Sequence, residues 1–121
     1  MTTVRAATPT EYVTVRSICN AAMLELDTGT LRKAAVLVAD EGGRILGSLV
    51  LRGPEIEAVA VRPGRRGQGI GTELVEAAKR LRPSLFAEFD SRVRPFYTAL
   101  GFEIRCSGDR CLGRLRRSNG R

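Results

Sequence analysis

Apolar residues recur at two different periods along this chain, and the alternation between them lays out its elements. Val4 and Ala6 sit in a short first strand, Thr3 to Ala7. Thr8-Pro9-Thr10-Glu11 reads as a capping box, with Thr8 as N-cap, Pro9 in the first helical position and Glu11 at the third. Helical spacing then carries Tyr12, Val15, Cys19, Ala22, Met23 and Leu26 on one face, predicting a helix to about Leu26 with Cys19 and Met23 in the core. Asp27 to Thr30 breaks it, and Leu31 to Lys33 is ambiguous. Strands follow at Ala34–Asp40, Arg44–Arg52 and Glu55–Val61, separated by Glu41-Gly42-Gly43 and Gly53-Pro54. The helical period returns from about Gly69 to Leu81, burying Ile70, Leu74, Ala77, Ala78 and Leu81, and Pro83 ends it.

Leu85–Phe89 is a further strand. Ser91–Leu100 is a short helix with Gly101 as C-cap. Phe102–Cys106 and Cys111–Leu115 form a last hairpin, and Arg116–Arg121 reads as a frayed tail. The order β-α-β-β-β-α-β-α-β-β predicts an α/β (α+β) fold: a mixed, mostly antiparallel sheet flanked by helices. Its one parallel pair would come from the crossover between Val61 and Leu85.

Between the third strand of that meander and its helix lies Arg62-Pro63-Gly64-Arg65-Arg66-Gly67-Gln68-Gly69-Ile70-Gly71-Thr72. A glycine turn feeding a helix N-terminus offers unpaired N–H groups and the positive end of a dipole, so it suits phosphate. A Walker loop would need Lys before Thr72, and that position is Gly71. A dinucleotide fingerprint fits Gly67 and Gly69 but meets Thr72 at its third glycine, in a chain too short for paired β-α-β halves. The pattern Arg/Gln-x-x-Gly-x-Gly/Ala is met by Arg66 to Gly71.

Composition narrows the chemistry. The 121 residues suit one domain spanning 1–121. There is no histidine, which excludes Ser–His–Asp and Cys–His catalysis and any His-bearing zinc site. A base near neutral pH must then be a carboxylate, a tuned Lys, a Cys or a water chain. The three cysteines and the absence of an apolar leader argue for a cytoplasmic chain without a disulfide framework, with Cys106 and Cys111 as half-buried thiols by default and a disulfide between them across the hairpin as the alternative. No apolar run is long enough to cross a bilayer. The net charge of +7 resides mostly in residues 55–121, as expected for a partner carrying phosphate or other anionic groups.

Val61–Gly71, together with Pro95-Phe96-Tyr97-Thr98-Ala99-Leu100-Gly101-Phe102, resembles the two hallmarks of the GNAT superfamily of acyl-CoA-dependent N-acyltransferases. The likeness, with the element order, spans roughly residues 3–115. It implies the GNAT fold, with one splayed parallel strand pair. It implies transfer of an acetyl group from acetyl-CoA to a primary amine, without a metal, by direct attack in a ternary complex. Backbone groups of Arg66, Gly67, Gln68, Gly69, Ile70, Gly71 and Thr72 would hold the pyrophosphate, and Val59, Ala60 and Val61 would bind the pantetheine arm as one strand binds another. Arg62, Arg65 or Arg66 would pair with the 3′-phosphate.

Tyr97 falls where the family places an acid for the leaving thiolate; the bland alternative is a core tyrosine. Glu57 and Glu55 are the candidate bases, two apart and on one face unless a bulge intervenes, with Glu88 or water as the remaining options. Glu55 matches the position used by histone-type members, and Glu57 lies deeper. Asp90 replaces the family's frequent Asn beside the cofactor arm. Phe96 and Phe102 are assigned to the core. The implied partners are a small-molecule, peptide or protein amine, with a homodimer as the family default and neither membrane nor nucleic acid expected. The competing function is a CoA-binding sensor or partner subunit without catalysis.

Overall fold

In the computed structural model, which describes residues 1–116, seven strands form one sheet in the order β1-β2-β3-β4-β5-β7-β6. The strands are β1 (Thr3–Ala6), β2 (Ala35–Glu41), β3 (Arg44–Arg52), β4 (Glu55–Val61), β5 (Ser84–Asp90), β6 (Glu103–Ser107) and β7 (Arg110–Arg116). Helices are α1 (Tyr12–Ala21), α2 (Thr28–Arg32), α3 (Ile70–Leu81) and α4 (Arg94–Ala99). The expected mixed sheet is present: every pairing is antiparallel except β4 with β5. Of the expected tail, residue 116 ends β7 and 117–121 lie outside the described residues. Among the described residues no helix is long and apolar enough to cross a membrane.

Two apolar clusters sandwich the sheet. On one face, Val15, Ile18 and Cys19 of α1 and Leu31 of α2 pack on Val36, Val38, Val50, Ala58 and Ala60. On the other, α3 and Tyr97 of α4 pack on β2 to β5 and on β7. The first helix is shorter than its apolar spacing predicts. It stops at Ala21, with Met23 in the left-handed region (φ 64°), Met23 N–H donating to Asn20 O and Leu24 N–H to Cys19 O. That is a Schellman ending with methionine where glycine is usual, so no sequence signal marked it. Met23 is consequently exposed rather than core, and Ile18 takes its place. Asp27 starts the next helix instead of merely ending the last: its carboxylate caps α2 through Thr30 N–H at 2.7 Å. The ambiguous Leu31 is thereby helical and fully buried.

Helix α3 shows which term decides. Gly71 in its first turn costs about 1 kcal/mol relative to Ala. Burial of Ile70, Leu74 and Val75 contributes roughly 1.5–3 kcal/mol for each side chain, so packing wins. Val75 faces the core unannounced, whereas Leu81, expected inside, is half exposed at the end of the helix.

The anticipated thiols at the last hairpin are a disulfide. Cys106 and Cys111 are directly paired across β6 and β7, with Cα atoms 4.0 Å apart, and are bonded to each other. Direct cross-strand opposition brings the two sulfurs together, which the spacing alone leaves undecided.

At the opposite edge, Arg5 binds Glu11 through two hydrogen bonds of 2.9 and 2.7 Å and reaches Asp40 at 3.1 Å, while Glu11 also accepts Thr8 N–H. The Arg5 and Thr8 hydrogen bonds hold the Glu11 carboxyl down to about 2. A carboxylate whose folded pKa is depressed stabilises the fold above its unfolded pKa and ceases to do so as pH falls through the folded one. Stability is therefore expected to drop between about pH 4.5 and 2, and Glu11→Gln should flatten that part of the curve in urea titrations at stepped pH.

Candidate active site

Strand β4 is the wall on which the site is built. It pairs with β5 at a single register position, Glu55 with Phe86, supported by Phe86 N–H donating to Pro54 O at 2.9 Å. Beyond that point the two strands diverge. Arg62 N–H donates to Leu46 O on β3, so by alternation the backbone groups of Ala60 also face β3. Those of Val59 and Val61 face the opposite edge, where β5 has departed. This is an open stretch of strand edge. Its strand-like hydrogen-bonding groups await an extended partner. Ala60 instead turns its methyl into the α1 cluster, so of the three residues expected here, Val59 and Val61 present backbone groups to the opening.

The bulge left open by the sequence is present. Val50 pairs with Ala58 and Leu51 with Ile56, leaving Glu57 as the extra residue of β4. The bulge changes the facing of the strand: Ile56 joins Val59 and Val61 against the α3 side, while Ala58 and Ala60 face α1. Glu57 is mostly buried and its carboxylate meets Arg52 Nε at 3.0 Å. Glu55 is half-buried at the point where β4 and β5 join. Glu88 is exposed on β5.

At the end of β4 the chain enters the glycine turn. Gly67 (φ 77°) and Gly69 (φ 85°) occupy the left-handed region, and Gly69 is the N-cap of α3. Gly71 is needed for a different reason: a Cβ there would lie 3.2 Å from the Phe96 ring. Among the described residues, the backbone N–H groups from Gly67 to Thr72 find no acceptor. All of these residues except Gln68 line a cleft of about 360 Å³ that also meets Val61, Arg65, Arg66 and Phe96. Six N–H groups at the positive end of a twelve-residue helix suit a phosphate or pyrophosphate.

The three arginines of the turn have separate tasks. Arg62 is bound into the fold, its Nε donating to Ile45 O at 2.6 Å. Arg65 is held by Glu41 and by the Gln68 side chain, each at 2.8 Å. Among the described residues Arg66 donates only to Val61 O, through Nε at 3.1 Å, and the side chain is exposed. Gln68 therefore orients Arg65 with its side chain. Glu41, sited on the β2–β3 hairpin, had no local sequence signal for this role. Its pairing with Arg65 needs residues 24 positions apart to meet.

Tyr97 lies behind the cleft wall formed by Phe96. It is 6% exposed, stacked on Phe89 with centroids 4.2 Å apart, and edge-on to Phe96 and Phe102. Burial pushes its hydroxyl up to about 12. A Cβ on Gly113 of β7 would stand 3.0 Å from the Phe89 ring, so the bare backbone there leaves room for the stack that orients Tyr97. Phe102 is core, as expected, but Phe96 lines the cleft as well as packing on the core. The clue was its place in the same helix turn as Tyr97. Asp90 ends β5 and caps the following turn, its Oδ1 accepting Arg92 N–H at 2.8 Å and Arg92 Nε at 3.0 Å. Those bonds, the backbone one foremost, keep its carboxyl below the usual range. Among the described residues no group of three or more Cys, Asp or Glu is arranged to hold a metal ion.

Comparisons with known proteins converge on one family. The acetyltransferase (GNAT) domain family matches residues 32–104. The peptidyl-lysine N-acetyltransferase YjaB of Salmonella typhimurium is 36% identical over 72 residues, covering 57% of this chain and 49% of that protein. The match thus spans about half the length of that relative. Among solved structures, the ribosomal-protein-S18-alanine N-acetyltransferase of Escherichia coli superposes with a TM-score of 0.80 at 17% identity, over 99% of this chain and 96% of the other. The structure of yncA from Salmonella typhimurium, solved with its cofactor acetyl-CoA, gives 0.77 at 19% identity, over 100% and 96%. These two likenesses are of fold.

Proposed function

Because the chain belongs to the acetyltransferase (GNAT) family, we propose that it transfers an acetyl group from acetyl-CoA to a primary amine by direct attack in a ternary complex. The observation that carries this reading is the open edge of Val59 and Val61 running into the unpaired N–H groups of Gly67 to Thr72. One bonds an amide-bearing arm and the other a pyrophosphate, and they follow one another along β4 as those two parts do in coenzyme A. Bound acetyl-CoA would supply the thioester that the amine attacks.

Tyr97 acts by donating a hydrogen bond to the departing sulfur. A phenol at about 12 handing its proton outright to a thiolate of ordinary pKa, ~8.5, runs uphill by about 5 kcal/mol. A donor that keeps its proton still stabilises developing negative charge in a buried site. Glu57 or Glu55 receives the amine's proton, directly or through water. The pairing of Glu57 with Arg52 holds its carboxylate in one place on the bulge. Arg66, and Arg65 oriented by Glu41, add positive charge where phosphate would sit.

A second reading, a CoA-binding module without catalysis, draws on the same ion pair: Glu57 and Asp90 both already have partners. Thiol release from acetyl-CoA with a panel of amines tests the two. Amine-dependent release supports the transferase; thermal stabilisation by acetyl-CoA with no release from any amine supports the module.

Glu41→Gln should raise KM for acetyl-CoA by roughly three- to tenfold and leave kcat within twofold, since it loosens Arg65 without touching the reacting atoms. Steady-state kinetics with the amine held saturating would reveal this. A fall in kcat with KM unchanged would contradict the positioning role.

A further inference from the structure

Helices α1 and α2 cover one face of β2 to β4, but among the described residues no helix covers the same face of β5, β7 and β6. Alternation places Arg110, Leu112, Arg114 and Arg116 of β7 on it, with Arg105 of β6 directly across from Leu112. All four arginines are exposed. Among the described residues none of them lies within 4.0 Å of a carboxylate oxygen. Half-buried Leu112 floors a groove of about 520 Å³ bordered by Arg105 and Arg114. Half-buried Phe86 continues the apolar floor onto β5, opposite Arg114.

We propose that this face docks an extended, acidic segment of a protein or peptide acceptor. Alternate residues of β7 repeat every ~6.8 Å, and alternate side chains of an extended peptide repeat at the same interval. Arg105 stands on the diagonal to both Arg110 and Arg114, roughly 7–8 Å from each, so acidic groups at alternate positions meet an arginine each time. The guanidinium fork suits carboxylates. Glu103, Glu88 and Asp90 lie on the same face, Glu103 in the groove lining directly opposite Arg114 and Asp90 directly opposite Arg110. They oppose a polymer charged at every unit, such as RNA, but tolerate a peptide whose intervening residues are neutral or basic.

The inference rests on the acyl-transfer reading in one respect, the place of the amine. The far side of the groove, Arg105 on β6, lies two strand spacings, ~10 Å, from β5, which borders the reactive opening. An extended chain covers that in about three residues. Acceptors with Asp or Glu about three residues from the amine are therefore favoured.

Fluorescence anisotropy with the full chain tests the surface directly. A labelled decapeptide of alternating Glu and Ala should bind saturably at low salt, and an alternating Lys and Ala peptide should not. The double variant Arg105→Glu/Arg114→Glu, checked for an unchanged thermal melt, should weaken the acidic peptide at least tenfold. Equal binding by the variant, no saturable binding, or displacement of the peptide by a tighter-binding RNA decamer would each overturn the proposal. In parallel, the variant should transfer acetyl to a small uncharged amine at the native rate while KM for a lysine peptide bearing Glu three residues away rises about tenfold. Equal loss with both acceptors would contradict the docking role. Absence of transfer to every amine would sink the acyl-transfer reading, and the anisotropy result would still decide the surface.

Discussion

Gly69→Val is expected to abolish acetyl-CoA binding while leaving the sheet and its two cores folded. Gly69 holds φ at 85°, a region costly for any side chain and worst for a β-branched one. A Cβ there meets nothing within 4 Å, so the penalty is backbone strain rather than collision. The turn relieves a strain of about 1–3 kcal/mol by rotating, and rotation re-aims the N–H groups that follow. Those groups have no other acceptor among the described residues, so the fold loses little and the phosphate site loses its geometry. A ligand at 100 times its Kd stabilises a protein by about 2.7 kcal/mol. Native chain at that concentration should melt several degrees higher than without ligand, and Gly69→Val should show no such shift. Undiminished stabilisation would mean that phosphate is bound elsewhere.

Tyr97→Phe should lower kcat by about 10²-fold or more and leave KM for acetyl-CoA within twofold. The ring of Phe fills the same stack between Phe89, Phe96 and Phe102, so packing survives and only the hydroxyl is lost. Burial alone shifts that hydroxyl, with no hydrogen bond contributing, so its removal strands no partner among the described residues. The pH profile adds a second readout. With burial raising the hydroxyl to about 12, Tyr97 keeps its proton up to roughly pH 11. Any loss of native activity between pH 8 and 10 then belongs to another group, and Tyr97→Phe should show the same basic limb at a lower plateau. Turnover equal to the native chain would remove Tyr97 from the chemistry and leave it a core aromatic.

The first helix shows where local reading runs out. Its apolar spacing continues past Ala21 into Met23 and Leu26, yet the chain turns at Met23 without a glycine. Propensity is a weak prior, and the competing Schellman bonds to Cys19 and Asn20 decide the end. Cys106 and Cys111 show the same limit from the other side. Six residues of sequence predict a hairpin, but only the register makes the two sulfurs face each other. Glu57 was legible as a candidate because a bulge was an open alternative; its partner Arg52 depends on the register across the turn.

By itself the sequence determined the order of the seven strands with α1, α3 and α4 among them, though not α2, together with the single parallel crossover, the glycine turn at the head of α3 and the absence of histidine chemistry. Each follows from local periodicity, residue inventory or backbone freedom, which neighbours along the chain suffice to set. Tertiary structure alone decided that the edges of Val59 and Val61 stand open, that Arg65 is held by Glu41, that Tyr97 is stacked and proton-retaining, and that four arginines share a face that no helix covers among the described residues. Those properties arise from groups dozens of positions apart meeting, or failing to meet, across the sheet, and periodicity along one strand carries no record of what its neighbour leaves bare.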